Sequence, residues 1–206
     1  MSKMDEIIVV APRSAVFENE TLTFQGVNSD KEATKKITAN FAATFTEMRR
    51  GDAEENNDYK QPIPYAVLKR GNEVFAYKRL SGGGETRLHN QISLGVGGHV
   101  NSVEGKSFDE TLEINLQREL EEELYIINDG ESSMKLETIG LINDDSNDVG
   151  KVHVGMLLIG ELPLNSGVSV RETDQLEGLW INVEDLKKPD IYDSLESWSQ
   201  FVADIL

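Results

Sequence analysis

The stretch RELEEELYI, Arg118 to Ile126, sets four glutamates, three of them consecutive, in a segment with the spacing of a helix. At about 100° per residue, Glu119, Glu122 and Glu123 share one arc of the helix as an acidic stripe, and Glu121 points elsewhere. Leu112, Leu116, Leu120, Leu124 and Ile127 form an apolar stripe beside it, predicted to pack on a sheet or a second helix and hold the acids at the edge of a core. Carboxylates at i, i+3 and i+4 repel one another by roughly 0.2–0.5 kcal/mol per pair. A divalent cation reverses that sign, because clustered hard oxygen donors suit Mg²⁺ or Mn²⁺, and a chain without cysteine has no soft alternative. The competing reading of this stretch alone is the solvated face of an acidic protein.

Composition narrows the classes. The 206 residues suffice for one substantial core with an additional lobe. Thirty-seven acids against 20 Lys and Arg give a formal charge of −17, which opposes sequence-independent binding to nucleic acid or anionic membranes. An anionic substrate then requires a metal ion or a local basic patch. No apolar run approaches the ~20 residues of a membrane span, and MSKMDEIIVV lacks the basic and apolar regions of a signal peptide. The expected location is cytoplasmic.

Working outward from the acidic helix, Ser107 and Glu110 fit a capping box at its start. Before it lie ISLGVGGHV, a strand closing on Gly97 and Gly98, and the glycine-rich loop SGGGETRLHN. IPYAVLKR and EVFAYKRL about Gly71-Asn72 read as a hairpin. LETIGLIND and KVHVGMLLIGEL read as strands separated by an acidic loop, and LEGLWINVEDL as a strand entering a short helix stopped by Pro189. Residues 191–206 read as one amphipathic helix carrying Ile191, Leu195, Trp198 and Val202. At the other end, residues 6–28 read as strands and residues 37–50 as a helix with Ile37, Phe41, Phe45 and Met48 on one face. The fold class is α+β. Residues 1–60 are expected to be an N-terminal extension packed on a main domain of residues 61–206.

Gly-Gly, a loop, and Arg-Glu-Leu-x-Glu-Glu on a helix after a strand resemble the signature of the Nudix hydrolases over roughly residues 61–190. Arg118, Glu119, Leu120, Glu122, Glu123 and Ile126 match that signature. The segment from Gly98 to Arg118 is six residues longer than the family pattern, so the first Glu of the box is either Glu104, at the expected gap after Gly98, or Glu110, at the expected gap before Arg118. Tyr125 stands where the pattern has glycine, and its backbone is expected to stay right-handed or extended.

The resemblance implies a mixed sheet sandwiched between helices and an Mg²⁺- or Mn²⁺-dependent hydrolase of a nucleoside diphosphate linked to another moiety. It implies Glu119, Glu122 and Glu123 as metal ligands with the carbonyl of Gly98 or Gly97, and Arg118 as their salt-bridged brace. The general base is one of these glutamates or a later acid among Asp144, Asp145, Asp148, Glu172 and Asp174. Arg79, Arg87 and His99 are candidates to meet the substrate. A small-molecule nucleotide or diphosphate is the expected partner, with a homodimer allowed and neither nucleic acid nor membrane expected. The alternatives are a non-catalytic nucleotide-sensing module and an enzyme like isopentenyl diphosphate isomerase. The first usually loses the glutamates kept here, and the second uses a cysteine this chain lacks. His89, His99 and His153 are too scattered in sequence to point to a zinc site, and Trp180 is expected in the core.

Overall fold

The computed structural model describes residues 2–80, 91–127 and 134–206. In chain order the elements are β1 (Ile7–Pro12), α1 (Arg13–Val16), β2 (Gly26–Asn28), α2 (Lys31–Thr44), β3 (Thr46–Arg49), α3 (Arg50–Ala53), β4 (Tyr59–Arg70), β5 (Glu73–Arg79), β6 (Ile92–Ser93) and β7 (Gly95–Gly97). Then follow α4 (Phe108–Glu123), β8 (Leu124–Ile127), β9 (Lys135–Asn143), α5 (Asp148–Val152), β10 (His153–Glu161), β11 (Gly167–Val170), β12 (Leu176–Asn182), α6 (Pro189–Tyr192) and α7 (Ser197–Ile205). The class is α+β, as the sequence implies. Among the described residues no helix is long and apolar enough to cross a membrane.

Two compact units divide the chain: Met1–Tyr65 with Gly97–Gln117 and Ile139–Leu157, and Ala66–Val96 with Arg118–Thr138 and Leu158–Leu206. In the first, the strand order is β4-β10-β9-β2, with β1 pairing β4 and β3. The side-chain period of two divides β1 between two cores. Val9 and Ala11 join Ile37, Phe41, Val100 and Phe108 in the larger one, and Ile8 and Val10 join Ala53 and Met48 in the smaller. Asp30 caps α2 by accepting a hydrogen bond from the Ala33 amide at 2.8 Å, and Ile37 and Phe41, one turn apart, are fully buried. Phe41 stacks on Phe108 at 5.7 Å, fixing the first turn of α4 against α2, and its burial contributes about 2–3 kcal/mol.

In the second unit β12-β5-β4 run in order, with β6 on β5, while β8 and β11 form a separate pair. The β4–β5 hairpin closes on Gly71-Asn72 with Lys69 opposite Val74, and Gly71 has the positive φ of +56° that such a turn requires.

The N-terminal portion departs from the expected elements. Arg13–Val16 is helical rather than strand, Glu18, Asn19 and Glu20 turn the chain at positive φ, and only Gly26–Asn28 of the second expected strand pairs, with β9. The expected helix over 37–50 starts earlier and stops at Thr44, because Phe45 takes an extended backbone and Thr46–Arg49 pairs with β1. Met48 is therefore partly buried from a strand, and its fit to the helical spacing is coincidental. The C-terminal helix is likewise two short ones; the short helix expected after β12 is a single 3-10 turn, Val183–Asp185, which ends before Pro189, and Pro189 starts the next helix.

Candidate active site

The capping box forms at the start of α4. The Glu110 amide donates to the Ser107 hydroxyl at 3.3 Å, and the Ser107 amide donates back to the Glu110 carboxylate at 3.0 Å. That bond from the Ser107 backbone, with Lys106 at 2.9 Å, pulls the Glu110 carboxyl down to about 2. Glu104 is exposed on the preceding turn. Asn115 then fixes the helix to the segment after β7, accepting from the Asn101 amide and donating to its carbonyl, each at 2.9 Å.

At the other end of α4, Leu116, Leu120 and Leu124 are buried as the apolar stripe requires, and Ile127 is not, being 62% exposed on β8. The helix ends at Glu123 without a glycine cap, and the chain enters β8 at once. Tyr125 sits there, opposite Ser169 in the strand pair, and its φ is not positive. The Arg171 guanidinium lies 3.9 Å from the centre of the Tyr125 ring, with Arg171 Nε donating to the Leu124 carbonyl and its amide to the Glu123 carbonyl, both at 2.9 Å. Tyr125→Gly should therefore lower stability by about 1–2 kcal/mol through lost ring packing and added chain entropy. Chemical denaturation measures this, and a variant more stable than wild type would contradict it.

Between these ends the charged residues gather. Arg118 Nη2 lies 2.7 Å from Glu119, and Arg118 Nη1 lies 3.0 Å from Glu122. Glu119 is nearly buried, Glu122 and Glu121 are exposed, and Glu123 is intermediate. The negative charge of Glu123 reaches Tyr77, a fully buried phenol that desolvation first, then Glu123 and Glu196, push well above its ordinary value. The Arg79 guanidinium lies 5.6 Å from the centre of that Tyr77 ring. Arg79, Arg118 and the three glutamates thus belong to the second unit, with Tyr77. Trp180 packs edge-on against Phe75 in this unit and carries the Arg70 guanidinium on its face at 3.9 Å.

The remaining candidates are dispersed. Gly97, Gly98, His99, Glu104, Glu110, Asp144, Asp145 and Asp148 belong to the first unit. Gly97 is required there for packing, because a Cβ would lie 1.8 Å from the Pro64 carbonyl oxygen. Asp144 accepts from Gln25, Ser146 and Asn147, and Asp145 from Arg13 and Lys60, so both hold the loop before α5 together. Asp148 pairs with Lys151. Glu172 and Asp174 lie in the second unit, on the exposed turn that Arg171 attaches to the end of α4. Arg87, His89 and the glycine-rich loop lie outside the described residues.

Sequence reasoning missed a second cluster. His99 Nε2 is 2.9 Å from Glu54 Oε1 and 3.2 Å from His153 Nε2, and His153 Nε2 is 3.9 Å from the same Glu54 oxygen. Burial, aided by His99, pulls His153 down to about 4, so it is neutral at neutral pH. Burial favours the protonated form of Glu54, but the hydrogen bond from His99 and the charge of Arg50 outweigh it and leave the carboxyl below its ordinary value.

No protein-family model matches the sequence. Protein YmaB of Bacillus subtilis (strain 168) is 56% identical over 207 residues, with 100% of both chains covered. Among solved structures, Tm1382, provisionally assigned as a Nudix hydrolase, gives a TM-score of 0.79 at 30% identity over 97% of each chain. DR0079 from Deinococcus radiodurans is similar in fold, with a TM-score of 0.51 at 14% identity over 79% of this chain and 90% of its own. With Tm1382 matched along nearly its whole length, and Arg-Glu-Leu-x-Glu-Glu closing α4, the chain belongs to the Nudix hydrolase family.

Proposed function

We propose that the chain hydrolyses a phosphoanhydride bond in a nucleoside diphosphate linked to another moiety, with Mg²⁺ or Mn²⁺ held by Glu119, Glu122 and Glu123. The observation that carries this reading is the brace from Arg118 to Glu119 and Glu122 at 2.7 and 3.0 Å, which fixes two of three neighbouring carboxylates. The donor set fits such a cation, being all carboxylate oxygen on about one turn of a helix. When bound, the cation neutralises phosphate charge and lowers the pKa of a coordinated water.

The chain's own residues do the rest. A protein of net charge −17 repels an anionic substrate, and Arg79, over the Tyr77 ring in the same unit as the glutamates, is a described cation that counters this. Arg118 acts as a positioning residue. We assign Glu172 as general base, because Arg171 binds the helix end through its amide and Nε, while Asp144 and Asp145 are committed to holding their own loop. The test is a screen of purified protein with Mg²⁺ against nucleoside diphosphate derivatives, reading phosphate released by a coupled phosphatase. Turnover of at least one derivative supports the reading. Binding without turnover across the panel would favour a sensing module instead.

A further inference from the structure

The Glu54, His99 and His153 cluster lies wholly within the first unit and apart from the helix-borne glutamates in the chain. Its three residues come from three elements: Glu54 caps α3, His99 follows β7 by two residues, and His153 opens β10. The side chains are 24%, 14% and 7% exposed.

Proton counting shows what the cluster lacks. His153 Nδ1 lies 2.7 Å from the Val149 carbonyl oxygen, which can only accept, so Nδ1 carries the ring proton and Nε2 presents a lone pair. Glu54 Oε1 also presents lone pairs. Both point at His99 Nε2, which has at most one proton to offer two acceptors. A cation in place of that proton would satisfy all three atoms.

The spacing has room for one. The three separations of 2.9, 3.2 and 3.9 Å define a triangle whose equidistant point lies about 2.0 Å from every corner, the bond length of Zn²⁺ to imidazole nitrogen or carboxylate oxygen. An ion at that point would lie in the plane of its three donors, so a tetrahedral site needs the 3.9 Å side to close toward the ~3.3 Å that separates ligands at that bond length. The His153 Nδ1–H bond to a backbone carbonyl is the outer-shell contact that fixes the tautomer of metal-binding histidines. Two imidazoles and one carboxylate form a borderline donor set, which suits Zn²⁺ and disfavours Mg²⁺.

We propose that Glu54 Oε1, His99 Nε2 and His153 Nε2 bind a zinc-class divalent cation, with the fourth position open to water. The ion ties α3, the segment after β7 and the start of β10 together, and it is chemically distinct from the hard-cation site proposed on α4. The assignment does not depend on the proposed hydrolysis.

Co²⁺ titrated into chelator-treated full-length protein tests it. The visible bands of four-coordinate Co²⁺ are expected, abolished by stoichiometric Zn²⁺ and unaffected by excess Mg²⁺. His99→Asn should weaken Co²⁺ binding at least about tenfold, as should Glu54→Gln, which is nearly isosteric and keeps the measurement open if the first variant does not fold. The double variant Glu122→Gln with Glu123→Gln should keep the bands. Absence of the bands in wild type would overturn the assignment, as would bands unchanged in a folded Glu54→Gln or lost in the double variant.

Discussion

Glu119→Gln is expected to lower kcat/KM for Mg²⁺-dependent hydrolysis by about two to three orders of magnitude and to leave the protein folded. Glu119 is the least exposed of the three stripe glutamates and the one closest to Arg118, at 2.7 Å. The substitution keeps the volume and removes the charge on which a cation and Arg118 both depend. Glu121→Gln, two residues along and on another face of α4, should stay within about twofold of wild type. Steady-state kinetics beside thermal melts measure both. Equal losses at the two positions would mean that net charge, rather than the stripe, carries the effect.

The second large effect concerns stability. Lys60 is fully buried on β4, and its ammonium donates to Asn143 at 2.8 Å, to Asp145 at 2.9 Å and to the Gly150 carbonyl at 3.1 Å. Burial draws its pKa down to about 8, against the bond to Asp145, so it is still charged at neutral pH. Lys60→Ala leaves buried acceptors without a donor and opens a cavity, which should cost about 3 kcal/mol, or about 6–12 °C in Tm for a chain of this length.

Asp145 supplies a pH signature. Burial alone would raise its pKa, but hydrogen bonds from Arg13 and Lys60 more than offset this and hold it well below the ordinary value. A depressed folded-state pKa means that the unfolded chain binds the proton first, so this stabilisation is present above about pH 4 and is lost on further acidification. Wild type should therefore lose more stability than Lys60→Ala below that pH. Denaturation curves from pH 7 to 3 test this, and an Ala variant as stable as wild type at pH 7 would contradict the account.

Features set by local rules could be read from the sequence. Gly71-Asn72 fixes a two-residue hairpin, Ser107 and Glu110 pair across three residues, and the leucine spacing orients α4, whereas the Arg118 brace was an expectation from the Nudix resemblance alone. Tyr125 follows the same logic, since a side chain at that position excludes the left-handed exit and the chain passes into an extended strand. Features set by tertiary pairing were not legible. Met48 satisfies a helical spacing, yet strand pairing with β1 decides its conformation. Ile127 extends the leucine stripe in sequence, but the helix has ended before it. Lys60 sits in sequence after the polar run of residues 54–58, yet it is fully buried, and its acceptors come from residues 143–153. Glu54, His99 and His153 lie at least 45 residues apart in sequence, and only the fold brings their lone pairs together.

The central claim is that the acidic stripe on α4 is a cation site, and calorimetric titration of Mg²⁺ tests it most directly, because the histidine-containing cluster of the first unit disfavours that ion. The account predicts saturable binding at millimolar Mg²⁺ or below in wild type, weakened at least about tenfold in the double variant Glu122→Gln with Glu123→Gln, with a Tm that rises on adding Mg²⁺ only where binding survives. Absence of binding in wild type, or equal affinity in the double variant, would contradict it.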